Sequence, residues 1–290
     1  MMIAARRLPR TIYRPGVWSP VSTMHHFFST GENSKRIAGI HVNPDSIVSQ
    51  ILPGGRAVLK KDRKGEYREI MVERAFGHFW MIQDLTKVGN KPILSSEIPE
   101  EEAQDFPTLM NCSVLKTNES VDVPAYFVRD NRANDASAQC TLVAIAYKDY
   151  GFKLLPSWTE PFEAAFGVGN ERAKAMRISV TEGKFTKMLL SGFMKRSFRA
   201  STPPELQSQT LLCFGPDEAR LREFNDTLRM HNTLTGYVFL LDGLGRVRFA
   251  GSGEGSDKEV NRMIQYAKEL TPRLSSSSPS TTVRKTKRSC

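Results

Sequence analysis

Apolar residues are spread unevenly along the chain, and the pattern sharpens near residue 140. Residues 141–147 form a short, nearly unbroken apolar run of the length of a buried strand. Ser157 followed by Glu160 is a capping-box signature, opening a helix that carries Phe162, Ala165 and Phe166 and stops at Gly167. Residues 176–181 predict a second strand, residues 184–199 a helix, and residues 210–214 a third strand. Pro216 suits the first turn of the next helix, where Asp217 and Glu218 complement the positive end of the dipole. Leu221, Phe224 and Leu228 form its apolar stripe, with His231 at the margin. The clearest hairpin joins residues 237–241 to 246–250 through Asp242-Gly243-Leu244-Gly245. Ser256 with Glu259 then caps a last helix whose buried face is Val260, Met263, Ile264, Ala267 and Leu270, ended by Pro272.

Strands alternating with helices, closed by a hairpin and a final helix, predict an α/β domain: a mixed sheet with helices on both faces. This order resembles the thioredoxin-like fold in its peroxiredoxin-like topology. The preceding residues are less regular. Pro53-Gly54-Gly55 punctuates them, residues 57–76 read as a charged, solvated helix, and an aromatic patch follows at Phe76, His78, Phe79 and Trp80. Alternate members of residues 79–82 are expected on one apolar surface, serving either to anchor this region or to bind. Residues 129–139 are polar and aperiodic. The expected organisation is a transit peptide at 1–31, an irregular N-terminal extension at 32–138, the thioredoxin-like domain at 139–272, and a disordered basic tail at 273–290.

The formal net charge of +10 suggests a nucleic-acid partner until it is located. Arg6, Arg7, Arg10 and Arg14 stand in an N-terminal stretch free of acid until Glu32, and Arg284, Lys285, Lys287 and Arg288 stand at the other end. The stretch between these tails is nearly balanced, so no nucleic-acid partner is expected. An Arg-rich, Ser/Thr-containing, acid-free N-terminus ending in His26-Phe27-Phe28-Ser29-Thr30 fits a mitochondrial transit peptide. No run approaches the roughly 20 apolar residues of a membrane-spanning helix, so membrane association is expected to be peripheral.

The chemistry expected of the fold is missing. Its redox members hold a reactive cysteine where the first strand enters its helix, because a helix N-terminus lowers a thiol pKa. Residues 148–162 contain no cysteine, and Gly236 stands where thioredoxins usually have a cis-proline. Cys112, Cys140, Cys213 and Cys290 are scattered without C-x-x-C or metal spacing and read as structural thiols. Gly251, Gly253 and Gly255 miss both phosphate-loop spacings, and Glu254 and Asp257 would repel a phosphate. No catalytic residue, cofactor or metal is therefore expected. Residues 184–199 interleave Lys187, Lys195 and Arg196 with Phe193 and Met194, a pattern that suits a core helix with a basic face or a contact with a membrane or hydrophobic client. Phe79, Trp80, Lys187, Phe193, Met194, Lys195 and Arg196 are the candidate contacts.

Two stretches carry a further resemblance: Gly77-His78-Phe79-Trp80-Met81-Ile82-Gln83-Asp84-Leu85-Thr86-Lys87, and residues 236–242 continued by 245–253. They are similar to the mitochondrial ATP synthase assembly-factor family whose yeast member chaperones subunit 6, the a subunit of the membrane sector. Phe249 replaces the usual tryptophan. The resemblance implies a non-enzymatic protein on the matrix side of the mitochondrial inner membrane. Its implied partners are subunit a, membrane-sector assembly intermediates and the membrane surface. The alternative is a thioredoxin- or peroxiredoxin-like mitochondrial redox protein.

Overall fold

A computed structural model describes residues 36–46, 79–128, 140–170, 172–181 and 184–271. The expected transit peptide, charged helix at 57–76, polar segment at 129–139 and basic tail lie outside the described residues. The strands are β1 (His41–Val42), β2 (Ile93–Leu94), β3 (Ser96–Glu97), β4 (Leu109–Val114), β5 (Ser120–Val123), β6 (Cys140–Ala146), β7 (Ala173–Thr181), β8 (Thr210–Phe214), β9 (Gly236–Leu241) and β10 (Val247–Ser252). The helices are α1 (Phe79–Lys87), α2 (Ala125–Val128), α3 (Asp149–Leu154), α4 (Pro156–Phe166), α5 (Lys184–Ser201), α6 (Glu218–Thr227) and α7 (Asp257–Leu270).

Eight strands form one sheet in the order β3-β10-β9-β6-β7-β8-β4-β5. Strands β6, β7 and β8 run parallel, and the β9–β10 hairpin adds antiparallel to β6. That is the thioredoxin-like arrangement in its peroxiredoxin-like form. Every residue of β6 is buried, as a central strand covered on both faces requires. The two-residue period divides its side chains. Leu142 and Ala144 join Trp158 and Phe162 of α4 and Met263 and Ala267 of α7 in one core, whereas Val143 and Ile145 join Leu221 and Phe224 of α6 in the other.

Three expectations about local structure change. The aromatic patch at residues 79–82 belongs to a helix, not to an alternating surface: Asp84, Leu85 and Val88 are buried below it, at helical spacing, while Ile82 is 53% exposed. Helix α4 begins at Pro156, so Ser157 does not cap it; its hydroxyl donates to Leu154 O and accepts from Gly255 N. Asp217, not Pro216, opens α6, accepting a hydrogen bond from Arg220 N at 3.2 Å. The predicted capping box of Ser256 and Glu259 is present at the start of α7.

The irregular extension also contributes to the sheet. Strand β3 pairs with β10 at one edge, and the β4–β5 hairpin pairs with β8 at the other. Ile37, Ile40, Ile93, Ile98 and Phe106 fill the core on the α6 face.

Candidate functional site

The position at which redox members of this fold place their thiol is occupied here by close-packed backbone. Lys148 precedes α3, and Gly151 is buried on that helix against the chain entering β9. A Cβ on Gly151 would stand 2.7 Å from Thr235 O, and one on Gly236 would stand 2.8 Å from Gly151 O. The two segments meet only because neither carries a side chain, which leaves no groove between them. Cys140 lies on β6 facing α7, and burial pushes its thiol up to about 12, so it is not a thiolate at neutral pH.

The candidate contacts on α5 divide between inside and outside. Met194 and Phe198 pack on a small cluster of Leu115, Leu212 and Phe214. Lys195 Nζ stands 6.0 Å from the Phe214 ring centroid, and Arg199 donates to Leu115 O at 2.6 and 3.1 Å and to Asn118 Oδ1 at 3.1 Å. Phe193 is 75% exposed, and Arg196 is exposed beside it. Met194 is therefore mainly a packing residue, while Phe193, Lys195 and Arg196 offer an aromatic ring flanked by cations. The side chains of Phe79, Trp80 and Lys187 lie outside the described part of the molecule.

A site the sequence did not indicate holds α1 in place. The carboxylate of Asp84, fully buried, accepts from Ser46 Oγ at 2.8 Å and from Asn232 Nδ2 at 3.1 Å. The same Asn232 amide donates to Met81 O at 2.9 Å. Asn232 N donates to Tyr237 OH, and Tyr237 OH donates to Asn232 O at 2.9 Å, linking the network to β9. Burial raises the Tyr237 phenol above its ordinary value, so it remains a donor. Below it, Thr235 Oγ1 donates to Asn90 O at 3.3 Å, and Ser252 Oγ accepts from Ile93 N and donates to Ile93 O, both at 2.9 Å. Gly253, at φ +68°, lies so close to Asn90 that a Cβ would meet its carbonyl oxygen at 2.2 Å. The two stretches that carry the family resemblance are thus one unit in space: the helix from the first is clamped to the hairpin of the second. The hairpin has its own ties. Arg246 donates to Asp242 at 2.9 Å and to Glu100 at 2.9 Å, and Arg248 donates to Ile98 O and to Tyr266 OH.

The family model of the ATP10 protein matches residues 59–270, which contain both stretches. The chain belongs to the ATP10 protein family. Membership in this family gives the chain a part in ATP synthase assembly. No curated protein matches the chain. Among solved structures, a secreted thiol-disulfide isomerase from Corynebacterium glutamicum is 11% identical at TM-score 0.41, covering 61% of this chain and 91% of its own. BsSco, a member of the Sco family of cytochrome c oxidase assembly proteins, is 10% identical at TM-score 0.40, covering 60% and 96%. Mycobacterium tuberculosis AhpC is 13% identical at TM-score 0.34, covering 59% and 97%. Among the described residues no helix is long and apolar enough to cross a membrane, and no group of three metal-ligating side chains is present.

Proposed function

We propose that this ATP10-family protein is a non-enzymatic chaperone that holds newly made subunit a (subunit 6) of mitochondrial ATP synthase on the matrix side of the inner membrane until it joins the rotor ring. The observation that carries the reading is the outer face of α5, where Phe193 stands exposed beside Lys195 and Arg196 while Met194 and Phe198 turn in to a small cluster. A ring flanked by cations suits an apolar membrane protein held at an anionic lipid surface. The closed backbone contact at Gly151 and Gly236 favours holding over thiol chemistry, because the segment before and through α3 offers no nucleophilic sulfur. The Arg-rich N-terminus supplies the mitochondrial address.

Crosslinking in mitochondria while subunit a is being synthesised tests the proposal. Capture of subunit a by the wild-type chain, and weaker capture by Phe193→Asp, is the expected result. Capture of no ATP synthase intermediate, with normal assembled enzyme in a strain lacking the protein, overturns it. The redox alternative predicts loss of cellular function in a Cys140→Ser/Cys213→Ser double variant that still folds.

A further inference from the structure

Two cysteines separated by about a hundred residues are brought together where the edge hairpin meets the main sheet. Strand β4 pairs antiparallel with β8 in the register Ser113↔Leu212 and Val114↔Leu211. One step along the same register, Cys112 falls opposite Cys213. Both are buried in the core on the α6 face, whereas Cys140 belongs to the core on the other side of the sheet. Directly opposed residues of an antiparallel pair have Cα atoms about 4.5 or 5.5 Å apart, and a disulfide accepts about 4.4–6.8 Å. The pair is therefore placed for a bond without a change of register.

We infer that Cys112 and Cys213 form a reversible cross-strand disulfide that staples the β4–β5 hairpin to the central sheet. This inference is independent of the chaperone reading and does not make the protein a redox enzyme. The geometry around the pair favours it. Strand β4 is irregular just before Cys112: its register to β5 shifts between Leu109 and Cys112, with Asn111 at φ 59°. Both thiols donate to carbonyls of this irregular stretch, Cys112 to Leu109 O and Cys213 to Met110 O, each at 3.8 Å. Asn111 and Val121, the residues before Cys112 and opposite it on β5, help to line an open cleft of about 910 Å³.

The neighbouring Cys213 thiol and burial raise the Cys112 thiol well above its ordinary value, so the closed pair reacts slowly. Reaction proceeds when the four-residue edge strand β5 and the irregular part of β4 open locally. One thiol loses its proton and attacks a small disulfide such as oxidised glutathione, forming a mixed disulfide and expelling one glutathione thiolate. The second thiol, likewise deprotonated, attacks the protein sulfur of that mixed disulfide and expels the other. The protein gives up two protons and two electrons, and these end on two molecules of reduced glutathione.

The test uses the full chain carrying Cys290→Ser, which removes the fourth thiol. The protein is incubated with oxidised glutathione, unfolded in acid, alkylated, and digested without reduction. The expected result is a linked peptide pair containing Cys112 and Cys213, with Cys140 alkylated, and slower amide exchange in β4 than in the reduced protein. Reduction with a dithiol should restore alkylation of both cysteines. Cys112→Ala should abolish the linked pair while circular dichroism reports an intact fold. Recovery of both cysteines alkylated after oxidation, of glutathione retained on one of them, or of a bond to Cys140 overturns the inference.

Discussion

Helices α5 and α7 belong to the same domain, yet they are attached to it in different ways. Helix α7 is the shorter, and its Val260, Met263, Ile264 and Ala267 are buried against Trp158, Phe162 and Phe249. Its N-terminus is capped on both sides, and Glu259 there also accepts from Ser95 and Lys91. The last two turns of α5 have Met194 and Phe198 on a cluster of Leu115, Leu212 and Phe214, an edge contact between Phe198 and Phe152, and the Arg199 tie to Leu115 O. Phe193 remains outside. The face that α7 leaves outside is polar and charged, with Lys258, Arg262, Gln265 and Lys268 exposed. The described end of α5 instead presents an exposed aromatic ring.

Truncation of α7 should produce the largest loss. Met263→Ala removes a fully buried side chain between two layers, at an expected cost of about 2–5 kcal/mol in urea unfolding. If the variant lost less than the same change at Met194, the assignment of Met263 as the more tightly packed position would fail. Met194 is only half-buried, so Met194→Ala should cost about 1 kcal/mol.

Glu259→Ala should lie between these two, at about 1–2 kcal/mol, because it removes the capping box together with the contacts to Ser95 and Lys91. It also carries a pH signature. Burial alone raises this carboxyl, but hydrogen bonds from Lys91, Ser256 and Ser95 outweigh it and bring the group from 4.5 to about 2. A group whose folded pKa is depressed stabilises the fold fully above its unfolded value, and that contribution is lost as pH falls through the folded one. The difference in thermal midpoint between wild type and Glu259→Ala should therefore be constant at neutral pH and shrink as pH falls from about 4.5 to about 2. A difference that did not change with pH would show that the ionised carboxylate is not what holds α7.

Local signals made much of this legible before the structure. The Ser256–Glu259 capping box, the hairpin turn, and the apolar stripe of α7 each lie within a few residues of one another, and propensity and periodicity report at that range. The missing thiol between residues 148 and 162 was equally local. What was hidden was non-local. Asp84 meets Ser46 and Asn232 only after the chain has folded, and Cys112 meets Cys213 only through the β4–β8 register. Strands β2 and β3 have two residues each, too short to show an alternation, and β4 breaks its own at the irregularity before Cys112. The exposed ring of Phe193 was visible as a candidate. Its separation from Met194 and Phe198, which turn inward, required knowing which face of α5 the sheet takes.

The smallest expected change in stability is at Phe193. A side chain 75% exposed loses little when replaced, so Phe193→Asp should alter urea unfolding by less than about 0.5 kcal/mol. The same substitution adds a negative charge beside Lys195 and Arg196 and removes the apolar ring, which opposes both attractions a lipid-held apolar client would use. Stability and function should thus separate at this residue as they cannot at Met263. A folded Phe193→Asp variant that captures less subunit a in crosslinking, next to a Met263→Ala variant whose deficit follows its lost stability, supports α5 as the binding helix. If Phe193→Asp unfolds the domain, the ring is part of the core. If it folds and captures subunit a as well as wild type does, the client is held elsewhere.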